Sequence, residues 1–144
     1  MNDPRSTEAQ SPAAVAGRLQ QVQRQIDAAC ASAGRSPAEV TIIAITKRKT
    51  VDYILAGIEA GLRHFGENRV EEASVKIPDV RALSPVPLTW HMVGHVQSRK
   101  AADVLGLFEL LHALDSLKLA QRFSRLASEQ GSTLDVLVQV NISG

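Results

Sequence analysis

One cysteine, Cys30, stands alone in the sequence, so no disulfide can form within the chain. A lone thiol fits a reducing compartment, and the cytoplasm is the default expectation. Aromatic residues make up only 3% of the 144, which leaves few platforms for stacking nucleic-acid bases. Neither sign of charge dominates: 16 basic residues stand against 15 acidic ones, for a net charge of +1. A balance of that kind argues against nucleic acid and against an anionic membrane as partners. No apolar run approaches the ~20 residues of a membrane helix. The opening MNDPRSTEAQ has no apolar segment of the kind a secretory signal needs. Glycine-rich dinucleotide loops, P-loops, HExxH and GxSxG are all missing.

What the sequence does hold is ordinary globular material, 44% hydrophobic and 22% charged, long enough for one domain with one core. The polar residues 1–12 are expected to form a disordered arm ahead of a single domain over residues 13–144. Ser11-Pro12 is a helix start, a capping hydroxyl followed by proline at the first helical position. Val15, Leu19, Val22, Ile26, Ala29 and Ala33 then recur at three- and four-residue steps up to Gly34. Cys30 lies beside that face and reads as a small buried hydrophobe.

After GRSPAE the period changes. VTIIAITK is a continuous β-branched run, the pattern of a strand buried on both faces. Helical VDYILAGIEAGL, strand-like RHFGEN, strand PLTWHMVG, helical QSRKAADVLGL, strand LLHALD, helical SLKLAQRFSRLASEQG and strand LDVLVQVNISG follow in turn. Asn68 with Glu71 makes a capping-box pattern for the helix after RHFGEN, and PDVRALSPVP reads as a long connection. Strands begin near residues 41, 64, 88, 110 and 134, at an almost constant step. Strand and helix alternating at that period predict right-handed βαβ units and a parallel sheet. The regular step and short connections favour a (β/α) barrel over a doubly wound sheet. A full barrel needs eight strands; five are present, so the expected fold is α/β, a partial TIM-type barrel with an open sheet.

Chemistry in such folds collects where strands end. Those ends carry Lys47, Glu67-Asn68, Gly94-His95, Asp115 and Asn141-Ser143. Lys47 reads either as a Schiff-base amine or as a basic strand tip in solvent. Asn68 either orients a ligand, together with Glu67, or caps a helix. His91 and His95 lie on opposite sides of Gly94, a poor metal geometry with no third ligand nearby. His112 reads as a core imidazole or one that backs a site residue. Asp115 doubles as a helix cap, and QSRK is either a phosphate contact or a solvated helix face.

Taken in order, AITKRKTVDYI, AGLRHFGENRVEEA, WHMVGHVQSRKA, LLHALDSLKLA and VLVQVNISG resemble the pyridoxal 5′-phosphate homeostasis proteins, single-domain relatives of the alanine racemase N-terminal barrel. The resemblance covers about residues 13–144. It implies that Lys47 matches the lysine that forms a Schiff base with pyridoxal phosphate. Gly66, Glu67 and Asn68 match the FGEN signature. His91, Gly94, Gln97 and Ser98 match the WHxxGxxQ block, and Asn141 matches the QxN block. The implied cofactor-binding set is Lys47, Asn68, His91, Gly94 and Asn141. Thr46, Thr50 and Arg99 depart from the usual serine, proline and asparagine. In the family, later strands supply the phosphate cradle and an arginine near the pyridine nitrogen, and none of these is among the five strands here.

The implied function is a carrier or buffer of pyridoxal phosphate without strong catalysis, with pyridoxal-phosphate-dependent apoenzymes as partners. Two alternatives stand beside it. One is a racemase-like enzyme, which needs acid/base groups on both faces of the reacting centre. The other is a non-binding interaction fragment, whose open edges associate with themselves or with a missing C-terminal half.

Overall fold

In the computed structural model, residues 11–143 are described; all but the last two residues of the expected arm lie outside them. Helix α1 (Pro12–Ala33) starts as its sequence predicts. The Ser11 hydroxyl accepts the Ala14 amide at 3.2 Å, and Gly34 ends the helix in the left-handed conformation, φ 66°. Ser11 and Pro12 therefore belong to the domain rather than to the arm. A 3-10 turn over Pro37–Glu39 leads into the first of five parallel strands. These are β1 (Ala44–Ile45), β2 (His64–Glu67), β3 (Thr89–Met92), β4 (Leu110–Leu114) and β5 (Asp135–Val138). Between them run α2 (Val51–Glu59), α3 (Val70–Leu83), α4 (Ala101–Leu107) and α5 (Leu117–Gln130).

The strand order is β1-β2-β3-β4-β5, each strand beside its predecessor, and successive helices pack on one another. Right-handed crossovers in that order put every connecting helix on the same face, which is the winding of a (β/α) barrel left open. The core lies between helices and sheet. Phe65, Trp90, Met92 and Leu111 point to it from the strands, with Ile54, Ile77, Val80, Val104 and Leu119 opposite. Phe65 and Trp90 meet in a tilted pair, ring centroids 5.5 Å apart. Alternation along each strand sends the intervening residues to the other face.

Two expectations change here. The run from residue 40 to 47 is not a long strand buried on both faces. Only Ala44 and Ile45 enter the ladder, and Ile45 is 47% exposed, because β1 is an edge with one neighbour. Nor is PDVRALSPVP all loop, since α3 continues through Pro78 to Leu83. Ile77 and Val80, both fully buried, extend the apolar face begun by Val70 and Ala73. Their burial offsets the one hydrogen bond that proline cannot make.

Candidate functional site

Parallel strands deliver their C-terminal ends to one rim, so Lys47, Asn68, Gly94 and Asp115 follow β1, β2, β3 and β4 there. The Thr46 amide bonds the Gly66 carbonyl at 2.9 Å and keeps the end of β1 against β2. Lys47 comes next and is exposed. Its amine meets no partner among the described residues, unlike three nearby lysines. Lys49 lies 4.8 Å from the Tyr53 ring centroid, Lys76 is buried in ion pairs, and Lys100 reaches Glu71 at 3.4 Å. Lys47, Arg48, Asn68, Arg69 and Glu72 line a hollow of about 190 Å³. Asn68 and Arg69 also border a neighbouring one shared with His95 and Gln97. A larger hollow of about 540 Å³ lies at the opposite ends of β1 and β2, beside α1, and includes none of these rim residues.

Asn68 is not the cap of α3. Arg69 holds that position without a side-chain bond. The Asn68 peptide instead packs on Gly94, where a Cβ would fall 2.2 Å from its carbonyl oxygen. Glycine is the only residue that permits this approach. Asp115 is not a cap either, for Ser116 caps α5 by accepting the Leu119 amide. The Asp115 carboxylate holds His95 Nδ1 at 2.8 Å on the rim. Asn141 lies beyond β5, exposed, and its side-chain oxygen accepts the Ser143 amide at 3.1 Å. QSRK forms a 3-10 turn over Ser98–Lys100 ahead of α4.

Glu67 does not face a ligand. It shares the helix-facing parity of Phe65 and is fully buried. Its Oε1 accepts the Thr46 hydroxyl at 2.6 Å and the Lys76 ammonium at 2.9 Å, while Oε2 has no partner among the described residues. Lys76 also donates to Glu72 at 2.6 Å and to the Thr46 carbonyl at 2.9 Å. The Lys76 hydrogen bond, with help from the Arg48 amide, holds the Glu72 carboxyl below the usual carboxylate range against the opposing push of burial. Sequence spacing shows only the Glu72–Lys76 helical pair; the links to Thr46 and Glu67 are tertiary.

His91 sits in β3 on the sheet face opposite the helices, 4% exposed, as the middle of three imidazoles. His64 Nδ1 lies 3.0 Å from His91 Nε2, and His91 Nδ1 lies 2.9 Å from His112 Nε2. Burial lowers its pKa to about 4, with the neighbouring His112 and His64 adding to the shift. Both ring nitrogens are engaged, so neither is left for a ligand while the row is intact. His64 was not among the residues singled out from the sequence. Its parity in β2, two residues before Gly66, is the signal that places it in the row. No cluster of metal-ligating side chains occurs among the described residues, and no described helix is long and apolar enough to cross a membrane.

A sequentially ordered parallel sheet, helices on one face and a polar rim with a free lysine define an open segment of a (β/α) barrel. No family model matches the chain. The pyridoxal phosphate homeostasis protein of Escherichia coli strain K12 is 40% identical over 129 residues, 90% of this chain and 55% of that protein. Its Pseudomonas aeruginosa counterpart is 38% identical over 130 residues, again 90% and 55%. Among solved structures, PipY of Synechococcus elongatus PCC7942 with PLP bound superposes with a TM-score of 0.77 at 36% identity, over 89% of this chain and 55% of PipY. A crystal structure of an unknown protein from Bifidobacterium adolescentis gives 0.84 at 31%, over 100% of this chain and 59% of that one. The chain is a relative of the pyridoxal phosphate homeostasis proteins and spans about half the length of those it matches.

Proposed function

We propose that the chain forms the lysine-bearing part of a pyridoxal phosphate carrier, binding the cofactor at the rim around Lys47 without turning over a substrate. The observation that carries this reading is the Lys47 amine at the end of β1, without a partner among the described residues, beside the hollow it shares with Asn68. Pyridoxal phosphate supplies an aldehyde, which condenses with a lysine amine and loses water. The residues fit that half of the cofactor. Lys47 is free and accessible, Asn68 presents a carboxamide next to it, and Gly94 keeps the second rim loop close enough to fix Asn68. Asn141 is the assigned contact from the fifth strand end. His91 is the implied contact from β3, its ring held in place by His64 and His112.

Racemisation would need a second acid/base on the opposite face of the reacting centre. The single tyrosine, Tyr53, lies in α2 with its ring next to the Lys49 ammonium. Release of the cofactor to pyridoxal-phosphate-dependent apoenzymes in the cytoplasm is the partner side of the same proposal. The test is visible absorption of the chain mixed with pyridoxal phosphate, followed by borohydride reduction and peptide mapping. Label concentrated on Lys47 is expected. An even spread over Lys47, Lys49, Lys76 and Lys100 would overturn the site.

A further inference from the structure

The Lys47 amine has no partner among the described residues, but the residues on either side of it are tied to one buried ion-pair cluster. Before it, Thr46 gives its carbonyl to the Lys76 ammonium at 2.9 Å and its hydroxyl to Glu67 at 2.6 Å. After it, the Arg48 amide donates to Glu72 Oε1 at 2.5 Å, and that same oxygen accepts Lys76 at 2.6 Å. We propose that Lys76, acting through Glu72 and Glu67, is a positioning residue that fixes Lys47 for attack on the aldehyde; this rests on the function proposed above.

Three features separate this role from that of a merely stabilising ion pair. First, Lys76 spends all three of its donors, and all three acceptors lead to residues that flank Lys47: the Thr46 carbonyl directly, Glu67 through the Thr46 hydroxyl and Glu72 through the Arg48 amide. A pair serving only α3 would need Glu72 alone, its neighbour one turn away. Second, Arg48 has φ 60°, a left-handed conformation that a residue with a Cβ keeps only when its surroundings impose it. A turn closed by the Lys49 amide on the Thr46 carbonyl at 3.0 Å sets that conformation, and the Glu72 carboxylate on the Arg48 amide ties the turn, immediately after Lys47, to the cluster. Third, Lys76 is 7% exposed, and a buried ion pair is often no more stabilising than an apolar replacement. Its geometry, in contrast, fixes a backbone segment to within hydrogen-bond tolerance, which is what orientation of a nucleophile requires.

The experiment compares the full chain with its Lys76→Met, Glu72→Ala and Glu72→Gln variants by two readouts. Without cofactor, hydrogen exchange at the Arg48 amide is expected to be slow in the wild type and at least about tenfold faster in Lys76→Met and Glu72→Ala, while β3 amides are unchanged. With pyridoxal phosphate and borohydride, the ratio of label on Lys47 to label on Lys49 is expected to fall about tenfold or more in those two variants. Glu72→Gln keeps an acceptor for the Arg48 amide and should restore most of both signals. If Lys76→Met fails to fold, the partly exposed Glu72→Ala carries the test. Unchanged Arg48 exchange and an unchanged label ratio in folded variants would overturn the positioning role alone. A wild type with no preference for Lys47 would overturn the proposed function, and the positioning role with it.

Discussion

Asn68 and Gly94 are in contact through their backbones, and no side chain fits between them. A Cβ on Gly94 would stand 2.2 Å from the Asn68 carbonyl oxygen and 3.0 Å from its Oδ1. The first of these atoms is backbone and cannot swing aside as the tip of a flexible side chain can. Gly94→Ala therefore has to push the ends of β2 and β3 apart. The expected cost is about 3 kcal/mol, at the upper end of overpacking penalties. Urea denaturation checks it, and a loss under about 0.5 kcal/mol would mean that the contact relaxes freely.

The His64–His91–His112 row makes stability depend on pH in a defined window. In the folded chain His91 titrates near 4, below its ordinary 6.5. Between those values the unfolded chain binds more protons, so stability falls as the pH drops through the window and the loss is complete below about 4. The shift corresponds to about 3 kcal/mol at most. Denaturation at pH 7 and pH 4.5 should show a markedly smaller difference in His91→Gln than in the wild type. Equal differences would mean that His91 is not held neutral. The comparison between the two proteins is needed because Glu72, with its lowered pKa, also loses stabilisation as it protonates at the acid end.

Much of the fold was legible because it rests on periodicity. Short apolar, β-branched runs and the three-to-four-residue steps placed all five strands and their helices, and strand and helix alternating at a constant step gave the parallel sheet. What periodicity does not carry is the number of neighbours a strand has. VTIIAI reads as doubly buried, yet β1 pairs on one side only. Likewise RHFGEN shows a polar strand end without showing parity. Asn68 reaches the rim, while Glu67, one residue earlier, turns into the helix layer. Lys76 was illegible as part of the site because its partners Thr46 and Glu67 are 30 and 9 residues away. The histidine row needed the stagger of β2, β3 and β4, which only the paired register supplies.

Retention of the cofactor by this chain should be weak. A barrel's phosphate site usually forms after the seventh and eighth strands, and the described residues supply five. Each charge-assisted hydrogen bond to a phosphate contributes about 1.5–3 kcal/mol. Absence of two or three weakens binding by several orders of magnitude, while the reaction at Lys47 itself remains available. Equilibrium dialysis should return most of the cofactor unless the adduct is first reduced with borohydride. Tight stoichiometric retention without reduction would place a phosphate site within these residues.

Both outer strands of the sheet carry unpaired backbone groups, and the apolar side chains beside them are open to water. Val136, Leu137 and Val138 in β5 are exposed, as are Val140 and, at 93%, Ile142 beyond it. On the far edge Ile45 is half exposed. Runs of this kind, β-branched and nearly uncharged, pair readily with other chains. The expected state at micromolar concentration is therefore a dimer or larger assembly that covers these edges. Replacing Val138 and Val140 with lysine puts like charges on the β5 edge at positions already 71% and 70% exposed. Such surface changes alter folding stability by only about 0.5 kcal/mol each, so the variant should sediment as a monomer and still unfold cooperatively. A wild-type chain that sediments as a monomer under the same conditions would show that the twist and shortness of β1 and β5 already protect these edges.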